Sequence, residues 1–213
     1  MMAEKLVICI WNYKGGVGKS TISLALAEIA AQKKLNVCVI DLDGQRNLSD
    51  ALGFVGDIFP NISVQTKIPD ELTADLCILD TRPEMSPNIR SAISFSDMVL
   101  VPVLGDFFSA ANIGAVWQHT SEMGLHLAQT AMIENCFDNT ATAREIDTAL
   151  QQKGFSFAGR LPRNMNLVRN IAGGRPWNFS MDSRQQIPFL QLYFRIWKAY
   201  EKMCAGDFDS AWK

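Results

Sequence analysis

A glycine-rich turn between an apolar run and a helix-forming run constrains the fold more than any other feature. The turn reads Lys14-Gly15-Gly16-Val17-Gly18-Lys19-Ser20-Thr21. It follows an apolar run over residues 6–11 and leads into a run rich in Ala, Leu and Ile over residues 20–33. Glycines at such a junction let successive backbone N–H groups point inward, and the positive end of the following helix adds to the same anion site. The segment predicts a phosphate-binding loop.

The residue types of this loop fit a nucleoside triphosphate bound together with Mg²⁺. Lys19 is expected to reach the β- and γ-phosphate oxygens, and the Ser20 hydroxyl is a hard oxygen donor that suits Mg²⁺. Tyr13 occupies the position where the strict pattern has its first glycine, so the match is incomplete there. The predicted cofactors are ATP and Mg²⁺. The predicted nucleotide-binding residues of the loop are Gly15, Gly16, Val17, Gly18, Lys19, Ser20 and Thr21.

Short apolar runs alternate with helix-length amphipathic stretches along the rest of the chain. Predicted strands cover residues 6–11, 36–40, 62–65 (an edge strand), 76–79, 98–103, 128–136 and 155–161. Predicted helices cover residues 20–33, 107–123, 141–153 (with Thr140 as N-cap) and 188–204. Most strands are near-continuous in Val, Ile, Leu and Cys, which is typical of a parallel sheet covered on both faces. We expect a single α/β domain over residues 1–213, with the three-layer P-loop NTPase fold and its ligand at the carboxyl ends of the strands.

Composition and charge narrow the class of protein further. With 48% hydrophobic and 20% charged residues in 213, the chain is ordinary for a soluble globular protein. No run reaches the roughly 18 uninterrupted apolar residues of a membrane helix, so a cytoplasmic protein is expected. The five cysteines contain no CxxC pair, which favours reduced core thiols over a structural metal. Because the net charge is −2, contact with nucleic acid requires a local basic patch.

Three carboxylates follow predicted buried strands. Asp41 and Asp43 come directly after the strand over residues 36–40, and Asp80 ends the strand over residues 76–79. Because the carboxyl ends of parallel strands meet at one edge, these side chains are expected beside the phosphate loop. A single Asp in such a place is also typical of helix capping, but two in one segment favour a shared site.

Lys14 followed by Gly-Gly-Val-Gly-Lys-Ser-Thr resembles the deviant Walker A motif of the ParA/MinD family of ATPases. In that family the early lysine reaches across a nucleotide-sandwich dimer to the partner subunit's phosphates, which implies the same role for Lys14. The segment from Asp41 to Gln45 resembles the family's Asp-x-Asp-Pro-Gln switch segment, with Gly44 in place of proline. The resemblance implies that Asp43 orients or activates the attacking water and that Asp41 supports the Mg²⁺ shell.

Two further segments match the family in part. The run that ends at Asp80 has the form of a Walker B strand, which implies that Asp80 faces a metal-bound water. The family continues Thr-Pro-Pro, whereas this chain has Arg82 after Thr81, and Arg82 is open to interpretation as a phosphate or partner contact or as a surface charge. Pro162, Arg163 and Asn164, followed by Gly-Gly-Arg-Pro over residues 173–176, are similar to a family segment near the adenine and the dimer face. That similarity implies nucleotide contact.

The favoured interpretation is a ParA-like partition or positioning ATPase. The short stretch between Asp43 and Asp80 is most like a small plasmid-type protein without an extra N-terminal DNA-reading domain. The resemblance implies a homodimer formed on ATP binding, contact with non-specific DNA and hence with the nucleoid, and an activating ParB-like partner. A local cluster of basic residues would contact DNA phosphates, although ordinary surface charge explains it equally well. The cluster is Arg160, Arg163, Arg169 and Arg175.

Two other function classes remain open. A MinD-like membrane-positioning ATPase needs a C-terminal amphipathic helix, and a stripe at the end of the chain offers one: Leu192, Phe194, Trp197, Tyr200 and Met203. Such a stripe is more often a final helix packed on the sheet, so membrane attachment is not expected. Metabolic relatives such as amidating enzymes or iron proteins share the loop. The chain has no cysteine pair suited to an iron–sulfur cluster, and it is short for an amidating enzyme.

Overall fold

A parallel sheet organises the part of the chain that the computed structural model describes, which is residues 5–45, 47–55, 57–104, 113–137, 144–145, 148 and 154–213. Its strands are β1 (Leu6–Ile10), β2 (Val37–Asp41), β3 (Ile62–Gln65), β4 (Leu76–Asp80), β5 (Met98–Leu104), β6 (Thr130–Phe137) and β7 (Ser156–Pro162). They lie in the order β3-β2-β4-β1-β5-β6-β7, and each neighbouring pair is parallel. The carboxyl end of β1 therefore lies between those of β4 and β5.

Helices cover both faces of this sheet. They are α1 (Lys19–Gln32), α2 (Asn47–Val55), α3 (Pro87–Phe95), α4 (Ile113–Glu122), α5 (Met165–Ala172) and α6 (Ser183–Cys204). One face packs against α1, α2, α5 and α6, and the other packs against α3 and α4. None of the described helices is long and apolar enough to cross a membrane.

Successive residues of each strand enter two different cores. In β1, Leu6, Ile8 and Ile10 join the core under α1 and α6. Val7 and Cys9 of the same strand join the core under α3 and α4. Both sets are apolar because side chains alternate across a sheet and both faces here are covered. The predicted three-layer α/β fold with a parallel sheet is confirmed.

Several predicted boundaries were wrong. Residues Leu127–Gln129 form a 3-10 turn capped by His126, so β6 begins at Thr130 and not at residue 128. The last helix begins at Ser183 and not at residue 188, because Asp182 and Gln185 form a capping box ahead of it. Pro188 is the sixth residue of that helix, so the helix lacks the hydrogen bond that an N–H there would donate to Arg184 O.

Other expectations were incomplete or fall outside the described residues. Three short helices, α2, α3 and α5, were not predicted. Residues 107–112 of one predicted helix are outside the described part, as are Thr140 and most of the predicted helix over residues 141–153. Cys9, Cys38 and Cys77 are buried in strands as expected, whereas Cys136 is only half-buried at the end of β6.

Candidate functional site

The glycine-rich loop turns the chain from β1 into α1 through backbone conformations that favour glycine. Gly16 has a φ of 72° and Gly18 a φ of 94°, both in the left-handed region. Gly18 is the N-cap of α1, and its carbonyl accepts a hydrogen bond from Ile22 N at 2.9 Å. A Cβ atom on Gly18 would lie 2.2 Å from Nδ2 of Asn135. The loop therefore depends on glycine at position 18 for both its conformation and its packing.

Two asparagines hold this loop in place, and neither was predicted from the sequence. Asn12 is buried; its Nδ2 donates to Pro102 O at 2.8 Å, and its Oδ1 accepts from Lys14 N at 3.0 Å. Asn135, near the end of β6, donates from Nδ2 to Val17 O at 2.8 Å. Both follow or end apolar strands at the edge where ligands of parallel sheets bind, which is the sequence signal that could have identified them.

Lys19 places its ammonium group inside the curl of the loop. Its side chain is buried, and Nζ donates to Lys14 O at 3.2 Å and, at a longer 3.5 Å, to Asn12 O. Burial lowers the pKa of Lys19, although the carboxylates of Asp80 and Asp43 oppose that shift. A buried cation bonded to neutral carbonyl groups is suited to a negatively charged ligand such as a phosphate.

Asp80 is buried at the end of β4 and is bonded to the first turn of α1. Its Oδ2 accepts from Ser20 Oγ at 2.6 Å, and its Oδ1 accepts from Ser23 Oγ at 2.9 Å. Burial raises the pKa of Asp80 from 3.8 to about 6, against the lowering effect of the two serine hydroxyls. The structure thus brings together Ser20 and Asp80 as predicted. A hydroxyl and a carboxylate at a helix N-terminus are the hard oxygen donors that Mg²⁺ with bound phosphate prefers.

Asp41 lies next to Asp80 across the β2–β4 pair and holds the segment that follows it. Its Oδ2 accepts from both N and Oγ of Ser49, at 2.9 and 2.7 Å, and its Oδ1 accepts from Asp43 N at 3.0 Å. Asp41 therefore secures the start of α2, as the helix-capping alternative anticipated. Its support of a Mg²⁺ shell stays a prediction, which would act through the charge it places beside Asp80.

Asp43 sits in the turn after β2, partly buried, with Oδ1 accepting from Gln45 N at 3.1 Å. Its charge raises the pKa of the Lys19 ammonium against the effect of burial, so the two side chains share one electrostatic environment. Activation of water by Asp43 stays a prediction, as does the reach of Lys14 to a second subunit.

Tyr13, which stands where a glycine is usual, points away from the phosphate loop. Its ring contacts Trp11 edge-on at a centroid distance of 4.8 Å and His119 of α4 at 5.8 Å. Trp11 in turn donates from Nε1 to Glu84 O at 3.1 Å. The side chain at position 13 therefore ties the loop to the α3 and α4 face of the sheet.

The predicted adenine segment lies at the carboxyl end of the edge strand β7. Pro162 ends β7, Arg163 is exposed, and Asn164 caps α5 by accepting from Leu167 N at 3.1 Å. The described contacts do not link these residues to the glycine-rich loop, and their contact with nucleotide stays a prediction. The following segment is connected to the site, because Trp177 N donates to Oε2 of Glu28 in the middle of α1 at 2.7 Å.

The predicted basic cluster is smaller than the sequence implied. Arg160 forms an ion pair with the buried carboxylate of Glu134 at 3.0 Å, and its guanidinium lies about 5 Å from the rings of Phe137 and Phe157. Arg160 therefore contacts side chains of β6 and β7. Arg163, Arg169 and Arg175 are exposed around α5.

Comparison with known proteins agrees with this geometry. Residues 8–177 match the sequence profile of the CobQ/CobB/MinD/ParA nucleotide-binding domain. The chromosome-partitioning ATPase Soj of Thermus thermophilus is 24% identical over 214 aligned positions, which cover 79% of this chain and 85% of Soj. The sporulation initiation inhibitor Soj of Bacillus subtilis is 23% identical, over 80% of this chain and 89% of that protein.

Solved structures with the same fold contain bound nucleotide. A plasmid partition protein of Borrelia burgdorferi bound to AMPPNP superposes with a TM-score of 0.75 at 19% identity, over 90% of this chain and 98% of that one. MinD of Pyrococcus horikoshii complexed with Mg-ADP superposes with a TM-score of 0.75 at 16% identity, over 96% and 98% of the two chains.

Proposed function

The chain belongs to the CobQ/CobB/MinD/ParA nucleotide-binding family, and on that basis we propose that it is a ParA-like partition or positioning ATPase. In this proposal it binds ATP with Mg²⁺, dimerises around the nucleotide, holds non-specific DNA and hydrolyses ATP to ADP and phosphate. A ParB-like partner protein would stimulate a slow intrinsic rate and release the dimer from DNA. The observation that carries the proposal is the buried Lys19 ammonium beside the Ser20–Asp80 hydrogen bond at the start of α1.

The hydrolysis step assigns a separate task to each charged residue. Lys19 neutralises phosphate charge from within its own subunit, and Lys14 adds a second cation from the partner subunit. Ser20 would hold Mg²⁺ directly and Asp80 through bound water, while Asp41 maintains negative charge nearby. Bound Mg²⁺ supplies charge neutralisation at the phosphate oxygens. Asp43 orients the water that attacks the γ-phosphate. Its carboxylate lies close enough to Lys19 to raise the pKa of the ammonium group.

Exposed arginines around α5 support the DNA-binding part of the proposal. Arg163 is exposed just before α5, Arg169 is exposed in its last turn, and Arg175 is exposed after it, in a chain whose net charge is −2. Arg175 also lies over the ring of Phe179, at 4.9 Å from its centroid. Exposed guanidinium groups around one short helix are suited to contacting DNA phosphates without reading the base sequence.

Salt-dependent retention on DNA tests this proposal. With Mg²⁺ and a non-hydrolysable ATP analogue, the protein should be retained on non-specific duplex DNA at low salt. Retention should weaken steeply as salt rises, because each phosphate contact releases a counterion. A variant with Arg163, Arg169 and Arg175 all changed to Ala should show a weaker salt dependence. Arg184→Ala, at an exposed arginine at the start of α6, is the matched control. Absence of retention at low salt would exclude DNA as the matrix.

The final helix gives the MinD-like alternative little support. Leu192 and Met203 of its apolar stripe are buried in the core, and Trp197 and Tyr200 pack against that core. Phe194 is exposed, but the Lys33 ammonium lies over its ring at 5.3 Å from the centroid. Most of the stripe is thus used to pack α6 on the sheet, as the sequence interpretation favoured.

A further inference from the structure

Arg82 extends from a turn that is fixed on both sides by the structure around the phosphate loop. Thr81 Oγ1 donates to Ile10 O at 2.8 Å, and the carbonyl of Glu84 accepts from Trp11 Nε1 at 3.1 Å. Within the turn, Glu84 N donates to Arg82 O at 2.9 Å. The backbone that carries Arg82, just after Asp80 in the chain, is therefore anchored to β1 and to Trp11.

The guanidinium of Arg82 packs on Gly44 in the turn that follows β2. A Cβ atom at position 44 would lie 2.7 Å from Nη2 and 3.7 Å from Cζ of Arg82. The side chain is also held by Glu84, with 3.5 Å between Nη1 and Oε1. The space that a glycine leaves at position 44 is thus occupied by the arginine.

This contact joins two of the positions at which the chain departs from the patterns it resembles, Gly44 and Arg82. Proline would restrict position 44, whereas glycine leaves the backbone there with the largest conformational freedom of any residue. Two other hydrogen bonds hold the turn. Asp43 N donates to Oδ1 of Asp41, and Gln45 N donates to Oδ1 of Asp43. The end of the Arg82 side chain, in contact with Gly44 through Nη2, restricts the same turn from outside. Arg82 therefore supplies a constraint that the backbone at position 44 lacks.

We propose that Arg82 is a positioning residue for ATP hydrolysis, whose guanidinium packs on Gly44 and fixes the turn that presents Asp43 to the phosphate loop. The inference rests on the proposed ATPase activity. It differs from a phosphate contact, because the feature that matters is the contact of Nη2 with Gly44 and not the charge of the guanidinium alone. It also differs from a solvated surface charge, which would leave the turn unaffected.

Steady-state kinetics with Mg-ATP test the proposal. In Arg82→Ala, kcat should fall between about tenfold and a hundredfold, because the group that aligns water is displaced. KM for ATP should change little, because Lys19 and the loop are untouched. In the Arg82→Ala background, Gly44→Ala should recover part of the lost kcat, because alanine leaves the backbone less freedom than glycine and no longer meets the arginine. Arg82→Lys should not rescue kcat, because a single ammonium cannot contact Gly44 and Glu84 through two separate nitrogens as the guanidinium does. Arg184→Ala is the control with unchanged kinetics.

Hydrogen exchange at the Gln45 amide supplies a readout that does not depend on turnover. Exchange should be faster in Arg82→Ala than in wild type. An active wild type with unchanged exchange and unchanged kcat in Arg82→Ala would overturn the inference and leave the proposed function intact. Full activity of Arg82→Lys, or a double variant that is no more active than Arg82→Ala, would also overturn it. A wild type that neither binds nor hydrolyses ATP would overturn the proposed function itself, whatever the exchange result.

Discussion

At the scale of single residues, two asparagine side chains support the phosphate loop by bonding to backbone that is distant in the chain. The phosphate loop, Lys19 and Asp80 were predictable because each lies within one short run of sequence next to a recognisable strand. Asn135 was not, because it bonds to Val17, 118 positions away in the chain. Ser49 was missed for a related reason, since its role as a donor to Asp41 depends on where α2 begins. Local motifs identify the groups that contact ligand, whereas their supports depend on tertiary structure.

Substitution of Gly18 tests the dependence of the loop on glycine. Gly18→Ala forces a side chain into a left-handed conformation and against Asn135. The strain should cost at least about 1–2 kcal/mol in the loop. The affinity for ATP, measured by calorimetric titration, should therefore fall by roughly tenfold or more.

The control for this variant is Gly114→Ala in α4. Gly114 is exposed, and a Cβ atom there meets nothing within 4 Å. The change should leave ATP affinity as in wild type and stabilise the helix by up to about 1 kcal/mol. Equal affinity of Gly18→Ala and wild type would show that nucleotide does not use this turn.

At the scale of elements, α1 connects the phosphate loop to the segment near residue 177. Its N-terminus bonds to Asp80 through Ser20 and Ser23, and Glu28 in its middle accepts from Trp177 N. Strands were predicted well because continuous apolar runs are unambiguous when both faces are covered. The short helices α2, α3 and α5 were not, since eight or nine residues give too little periodicity. The start of α6 was not predicted, because Pro188 resembles a first helical residue whereas the helix begins five residues earlier, at the capping box.

The buried carboxyl group of Glu28 makes the stability of the nucleotide-free protein depend on pH. Burial raises the pKa of Glu28 from 4.5 to about 7, partly offset by the hydrogen bond from Trp177. Because folding raises the pKa of Glu28, the contribution of its protonated carboxyl group to stability is fully present below pH 4.5 and is lost as the pH rises through about 7. The free energy of unfolding of Glu28→Gln, relative to that of wild type, should therefore be about 2–3 kcal/mol higher at pH 8.5 than at pH 5.

Urea denaturation at the two pH values measures this difference. The glutamine amide has an effect on the free energy of unfolding that does not depend on pH. That effect cancels, because only the change between the two pH values is compared. Glu201→Gln, at an exposed glutamate of the same charge on α6, should follow wild type at both pH values. If the free energies of unfolding of Glu28→Gln and wild type differ by the same amount at both pH values, folding does not raise the pKa of Glu28, which contradicts this prediction.

At the scale of the whole molecule, the sheet order brings the functional groups together at one edge. The order β2-β4-β1 places Asp41, Asp80 and the loop after β1 side by side, although they are far apart in the chain. The alternation of strands and helices predicted a covered parallel sheet, and the location of the site at the strand carboxyl ends followed from it. What one subunit lacks under the proposal is the second cation, which Lys14 of another copy would supply across the nucleotide.

The mass of the protein in solution with different nucleotides tests this central claim most directly. With Mg²⁺ and a non-hydrolysable ATP analogue, light scattering should give twice the 23.7 kDa of the single chain, and with ADP the single-chain mass. Lys14→Ala should bind the analogue yet remain a single chain, while Lys198→Ala, at an exposed lysine of α6, should dimerise as wild type does. A wild type that stays a single chain when saturated with the analogue would contradict the account.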